Sequence, residues 1–204
     1  MVRKDITILG LIILFVSLVV TAGIVENKPD EMKSNNLKEK AIPKEYIPIY
    51  KEAAESYDVP WKLLAAVHRV ETKFSTMDSL VSPKGAVGHF QFMPLTWLGW
   101  GYTGSNLGEL NKDDNIDITD PTLIEKYGGY GVDASGDGKA DPYNMEDAVH
   151  TAAKYLSANG ASKGELKKAV YAYNHSEAYV AEVMSYFNQY EQAFEPIDVK
   201  KKMQ

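Results

Sequence analysis

The sequence contains no cysteine, which excludes a disulfide framework and attachment through a lipidated cysteine. It has only four histidines, at 68, 89, 150 and 175, and none falls in an HExxH or related spacing, so a catalytic zinc centre is not expected. Basic residues are not in excess. Lys and Arg number 22 against 28 Asp and Glu, and the formal net charge of −6 speaks against nucleic acid as a partner. Internal repeats and low-complexity tracts are missing. Few segments alternate with period two, so a mainly α domain with at most a small hairpin is expected.

What is present begins with an uncharged run from Ile6 to Val25 behind Arg3 and Lys4. At about 1.5 Å per residue it spans roughly 30 Å, the thickness of a bilayer's hydrocarbon core. The positive-inside rule then leaves the N-terminus in the cytoplasm and the remainder outside. Residues 1–25 are read as an uncleaved membrane anchor. The alternative is a signal peptide cut near Val20-Thr21-Ala22 and a secreted product, but the run exceeds an ordinary h-region. Residues 26–42 are polar, mixed in charge and read as a linker. Residues 43–195 are long enough for a single domain with a real core, and residues 196–204 read as a frayed tail.

Within that domain, helices are expected over Lys44–Tyr57, Asp58–Phe74, Pro94–Gly101, Met145–Ala158, Glu165–Tyr173 and Ser176–Phe194, with a long loop between Tyr102 and Asn144. The second of these, capped by Asp58 with Pro60 in its first turn, carries the most informative residue. Wound at 100° per residue, it gathers Val70, Leu63, Val67, Leu64, His68, Trp61 and Ala65 on one face and Lys62, Arg69 and Lys73 on the other. Glu71 falls inside the apolar arc. A carboxyl desolvated there has a raised pKa and suits a general acid. The alternative is a buried Glu satisfied by an Arg or by backbone.

Downstream, Ser82-Pro83-Lys84-Gly85-Ala86-Val87-Gly88-His89-Phe90-Gln91-Phe92-Met93-Pro94 combines two turn glycines with an amide among apolar neighbours. The glycines allow close approach of backbone to a ligand, and Gln91 offers donor and acceptor to a sugar. Later, Ala172-Tyr173-Asn174 sets polar groups at a helix junction, with Tyr173 able to reach Glu71 by its hydroxyl. Packing roles are open for each of these segments taken singly.

Together the three segments resemble the lytic transglycosylase domain of the lysozyme-like superfamily. Glu71-Thr72-Lys73-Phe74 is similar to that family's Glu-Ser/Thr-x-Phe motif, the stretch from Ser82 to Pro94 to its Ser-Pro-x-Gly-Ala-x-Gly-x-x-Gln-x-Met-Pro motif, and Ala172-Tyr173-Asn174 to its Ala-Tyr-Asn motif. The resemblance implies a goose-lysozyme-like helical domain that binds peptidoglycan glycan strands. It also implies an enzyme that cleaves the bond between N-acetylmuramic acid and N-acetylglucosamine, leaving a 1,6-anhydromuramyl end. Glu71 would be the single acid/base, Ser82 and Tyr173 would hold it, and Gly88, Gln91, Met93 and Asn174 would shape the sugar site. No cofactor is required by this chemistry. Two alternatives stand beside it: hydrolysis by water, with a second acid from a loop such as Asp113, Asp114 or Asp117, and a non-catalytic glycan-binding module.

Asp133, Ser135, Asp137 and the Lys139 carbonyl follow positions 1, 3, 5 and 7 of an EF-hand loop, with Gly138 at position 6. Asn144 stands at position 12 in place of the bidentate Glu, and Asp147 is the acid that could complete the set. A loop of this type occurs in a membrane-bound branch of the resembled family, which implies a structural calcium site.

Overall fold

A computed structural model describes residues 40–105, 107–111 and 115–198. The apolar run 6–25, the linker up to residue 39, Asp113, Asp114 and residues 199–204 lie outside them. Among the described residues no helix is long and apolar enough to cross a membrane.

The described chain is mainly helical, in the order β1 (Ala41–Pro43), α1 (Ile47–Tyr57), α2 (Trp61–Thr72), α3 (Pro94–Leu98), α4 (Pro121–Tyr127), α5 (Met145–Ala158), a single 3-10 turn at Ala161–Lys163, α6 (Leu166–Asn174), α7 (Glu177–Gln192) and β2 (Glu195–Ile197). Helix α2 runs through the middle. It packs chiefly on α7 and α1, with α5 behind α1 and α6 beside α7. Leu63, Leu64, Ala65, Ala66 and Val67 are fully buried with Tyr50, Trp97, Leu156 and Tyr190. Both sides of α2 are covered, and on its basic face Lys62 and Arg69 are partly buried while Lys73 is exposed. Lys62 pairs with Glu191 at 3.2 Å, and the Arg69 guanidinium lies 4.4 Å over the Tyr186 ring. Long cationic side chains can cover apolar surface in this way while keeping their charge partly hydrated.

Several local expectations are corrected. Asp58 does not cap α2; it ends α1 in the left-handed conformation at φ 53°, with its N–H bonded to Ala54 O. Pro60, extended at φ −64° and ψ 122°, is the N-cap of α2 and has no side-chain hydrogen bond to offer. Asp tolerates the left-handed region better than most residues, so the pattern that resembles a cap serves as a stop. Helix α4, capped by Asp120 accepting from Thr122 N–H, interrupts the supposed long loop. Ser176 does cap α7, accepting from Tyr179 N–H.

The strand pair is parallel and joins the two ends of the described domain. Ala41 pairs with Glu195, Ile42 with Pro196 and Pro43 with Ile197, and Ala41 and Ile42 are buried. The boundaries drawn at residues 43 and 195 therefore cut through both strands, and Asp198, inside the expected tail, pairs with Lys44 at 2.5 Å. A three-residue strand whose partner is more than a hundred positions away leaves no local periodicity. In the Ser82–Met93 region, isolated antiparallel bridges join Val81 to Val87 and Val87 to Phe92.

Beyond α2 the chain is held in an unusual conformation. Lys73, Phe74 and Ser75 have φ of 52°, 60° and 62°, which costs about 1–2 kcal/mol for each non-glycine residue. Side-chain hydrogen bonds hold it there. His89 Nε2 must donate to the Tyr143 carbonyl, at 2.8 Å, because a carbonyl only accepts. With the ring neutral, His89 Nδ1 then accepts from Ser75 Oγ at 2.6 Å. Ser75 accepts in turn from His68 Nε2 at 2.7 Å, and His68 Nδ1 accepts from the Tyr50 hydroxyl at 2.6 Å. One terminal carbonyl fixes the direction of every proton in the chain. Burial pushes both histidines below their ordinary value of 6.5, with mutual repulsion adding to the effect at His68, so the neutral forms are favoured.

Ser75→Ala leaves a buried N–H and a ring nitrogen without partners. It is expected to lower stability by about 2 kcal/mol in urea unfolding at neutral pH. Because the folded-state values of the histidines are depressed, their contribution is present above the ordinary value 6.5 and is lost as pH falls below it. The wild type should therefore weaken on acidification through that point.

Candidate functional site

Glu71 sits in the last turn of α2, where its half-buried side chain opens into a cavity of 360 Å³. The cavity is lined by Ser82, Lys84, Ala86, Gln91, Met93, Tyr173, Asn174 and His175. Gln91, Met93, Tyr173, Asn174 and His175 also line an adjoining hollow of 590 Å³, whose far wall includes Trp100, Tyr130 and Tyr155. The two form one groove with a carboxyl at one end and an aromatic shelf along the rest. Trp100 is 55% exposed, enough to present its ring to a ligand.

Burial pushes the Glu71 carboxyl up from its ordinary 4.5 to about 7, with the Glu182 charge reinforcing the shift and a hydrogen bond from Tyr179 opposing it. Tyr179 donates its hydroxyl to Glu71 Oε1 at 2.5 Å. Tyr179 is itself buried, at 8% exposure, and reaches from the first turn of α7. A group poised near neutrality can both give and take a proton. Glu71 is also the one carboxylate lining its cavity.

Of the expected site residues, Ser82, Gln91, Met93, Tyr173 and Asn174 line the Glu71 cavity, some with altered duties, and Gly88 does not. Tyr173 does not reach Glu71; its hydroxyl donates to Phe90 O at 2.8 Å, and Tyr179 makes the bond expected of it. The Ser82 hydroxyl accepts from Ala86 N–H at 3.0 Å, closing its own turn, and makes no bond to Glu71. The Gln91 amide nitrogen donates to Leu80 O and Gly88 O, both at 2.9 Å. Two carbonyl acceptors fix the orientation of that amide, so only its oxygen is left for a ligand. Gly88, at φ 77°, faces protein instead of ligand: a Cβ there would stand 2.1 Å from Pro142 O. Met93 and Asn174 line the groove as expected.

Tyr179, Lys84, His175 and Trp100 were not anticipated. Tyr179 was legible only in part, since its position three residues after the Ser176 cap marks it as inward-facing without saying what it meets. Asp117, offered as a second acid, accepts from Thr119 N–H and Oγ and does not line the Glu71 cavity.

The expected calcium ligands are engaged in hydrogen bonds within their own loop. Among the described residues no three His or acidic side chains are grouped to hold a metal. Asp133 accepts from Gly136 and Gly138 N–H, and Asp137 from Lys139 N–H. Ser135 donates its own N–H to Asp147. Asp147 is fully buried and accepts from the N–H groups of Ala134, Ser135 and Asp141 at 2.8–2.9 Å. The loop organises itself around that carboxylate, and Pro142 and Tyr143 at its end brace the Gly88–His89 segment.

No family model matches the chain, and no solved structure matches it. An L-Ala–D-Glu endopeptidase of Bacillus subtilis (strain 168) is 24% identical over 145 residues, covering 70% of this chain and 41% of that protein. The chain thus spans less than half the length of this curated relative.

Two substitutions test the site's supports. Tyr179→Phe removes the one hydrogen bond that favours ionised Glu71, so the Glu71 carboxyl should titrate above 7 in carbon-detected NMR. Asp147→Ala leaves three N–H groups of the loop without their acceptor and should cost about 3 kcal/mol or more in thermal or urea unfolding.

Proposed function

We propose that this chain is a peptidoglycan lytic transglycosylase of lysozyme-like fold. The observation that carries the proposal is the solitary Glu71 carboxyl, poised at about 7 at the end of a groove with an aromatic shelf. A protonated Glu71 donates to the glycosidic oxygen between N-acetylmuramic acid and N-acetylglucosamine as the bond to the anomeric carbon breaks. The muramyl O6 closes on that carbon, and its proton passes to the Glu71 carboxylate, restoring the acid. No second carboxylate is needed because a substrate hydroxyl replaces the nucleophile that most glycosidases supply. Burial raises the proton affinity of Glu71, and the Tyr179 hydrogen bond tempers that rise. The Gln91 oxygen, Met93, Asn174 and the ring of Trp100 offer the polar and apolar contacts that a sugar presents.

The similar region of the Bacillus protein supports a substrate in the same polymer, since that protein's name places it on a wall peptide. The named peptide-bond cleavage is not carried over. The matched region is 41% of the relative. With residues 6–25 as an anchor and a polar linker whose coil reach is about 25 Å, the enzyme would act outside the cytoplasm on wall close to the membrane. A second reading, hydrolysis by water, draws on Glu182, whose charge is felt at Glu71.

Digestion of purified glycan strands by the full chain, followed by mass spectrometry, separates these outcomes. Anhydro ends from wild type support the proposal, and reducing ends support hydrolysis. Glu71→Gln should bind strands and release nothing, a loss of at least about a thousandfold; cleavage at the wild-type rate would falsify the assignment. Since Glu71 must start protonated, kcat/KM should fall as pH rises through about 7.

A further inference from the structure

The hydrogen-bonded array from Tyr50 to the Tyr143 carbonyl crosses the domain from its core to its surface. Tyr50 and His68 are fully buried, His89 is half-buried and Tyr143 is 46% exposed. The array has four links: Tyr50 to His68, His68 to Ser75, Ser75 to His89, and His89 to the carbonyl. With both rings neutral, its four side chains carry four polar hydrogens, one for each link. The count closes with nothing over. A proton taken up by either ring brings a fifth hydrogen that no link can hold. If His89 keeps it at Nδ1, the Ser75 hydroxyl must turn away from that ring or reverse its bond to His68. If the bonds reverse as far as Tyr50, the surplus hydrogen ends on a buried hydroxyl whose one hydrogen-bond partner among the described residues is His68. Either way a buried hydrogen loses its acceptor, a cost that the neutral array does not bear.

Ser75 is the point where that cost is relieved. It joins the two rings, and it is the third left-handed residue after α2, at φ 62°. Its N–H donates to Thr72 Oγ at 3.1 Å, and Thr72 Oγ donates to His89 O at 2.8 Å. Thr72 follows Glu71 directly, so whatever frees Ser75 loosens the helix end that aims the acid. The groups facing the array are Tyr46 and Tyr50 of α1, Phe74 and Ser75 beyond α2, Phe90, and Asp141 near His89. Burial opposes a proton on both rings and His89 opposes one on His68, whereas the Asp141 charge favours one on His89. The proton therefore enters at His89, below the ordinary value of 6.5. We propose that His89 and Ser75 are positioning residues for Glu71, and that a proton entering the array at His89 releases the helix end and switches the site off. The switching of activity rests on the reading of Glu71 given above; the release itself does not. The site then works in a band of pH, bounded above by loss of the Glu71 proton and below by gain of one in the array.

The test is amide hydrogen exchange by NMR on the full-length chain, with the histidine ring nitrogens titrated in the same samples. Protection factors are compared, since these remove the intrinsic pH dependence of exchange. Between about pH 7 and about pH 5, protection of the Phe74, Ser75 and Thr76 amides should fall at least about tenfold. Ala152 and Ala153, fully buried in α5, should keep theirs. The fall should track the His89 ring titration, whereas a merely structural His89 gives protection that does not follow it. His89→Asn keeps an acceptor for Ser75 and His89→Gln a donor to Tyr143. Neither takes up a proton, so in whichever folds the fall should be absent from this range. Digestion of glycan strands gives the second readout. In the wild type, kcat/KM should drop below the His89 titration by up to about tenfold per pH unit, besides its fall above 7, and the variants should lack the acid drop. Protection at Phe74 and Ser75 that holds until α5 opens with them overturns the proposal, as does a His89 ring that stays neutral while protection falls. Strands left uncut at every pH, with the exchange result as expected, overturn the catalytic reading and leave the release. Undiminished cleavage at a pH where Ser75 has opened overturns the switch and leaves the catalytic reading.

Discussion

Taking the Glu71 carboxyl out of water raises its proton affinity, because the charged form loses hydration that the fold does not replace with a cation. The replacement is one neutral hydroxyl, from Tyr179. Arg69 is only two residues away in sequence, but two residues on a helix are about 200° apart, so the geometry of α2 turns it to the opposite side. There it is held by Tyr186, Tyr190 and Ala41. The helix thus turns the Arg69 cation away from its acid, and a carboxyl not held in an ion pair stays able to exchange its proton near neutrality. The alternative of a buried Glu satisfied by Arg fails on this geometry.

Such a carboxyl is useful only if its helix end keeps still. The three left-handed residues after α2 would favour fraying if left alone. They are fixed from several directions: Thr72 Oγ donates to His89 O and accepts from Ser75 N–H, and the His68 ring lies between Phe74 and Phe90. The same histidine chain ends on Tyr143, so the wall carrying Gln91 and the helix carrying Glu71 share one set of supports. Asp147 extends this order into the loop behind them. Its carboxylate gathers three backbone N–H groups, which orders an irregular segment.

Much of the helical layout was legible, because α1, α2, α5, α6 and α7 present apolar residues at helical spacing and caps such as Ser176 and Asn144. The unusual position of Glu71 was legible for the same reason. What escaped depends on contacts between distant segments. Asp58 carries the chemistry of a cap and a stop alike, and only the Pro60 backbone decides between them. Tyr173 and Tyr179 are equally plausible partners for Glu71 by composition. The choice turns on where α6 ends and α7 begins, which places one hydroxyl on Phe90 O and the other on the acid. Hydrogen bonds of Gln91 and Ser82 to backbone were hidden too, since a motif records which residue stands at a position and not which of its atoms are already engaged.

The parallel pair of β1 and β2 has a mechanical consequence. Tension that reaches Lys40 along the chain enters the domain at Ala41, and the short ladder to Glu195–Ile197 bears it in shear, with its hydrogen bonds loaded together. The Ala41 carbonyl is also gripped by Arg69 on the last turn of α2. A pull on the entering chain is therefore passed through the Ala41 carbonyl to Arg69, on the same last turn of α2 that carries Glu71.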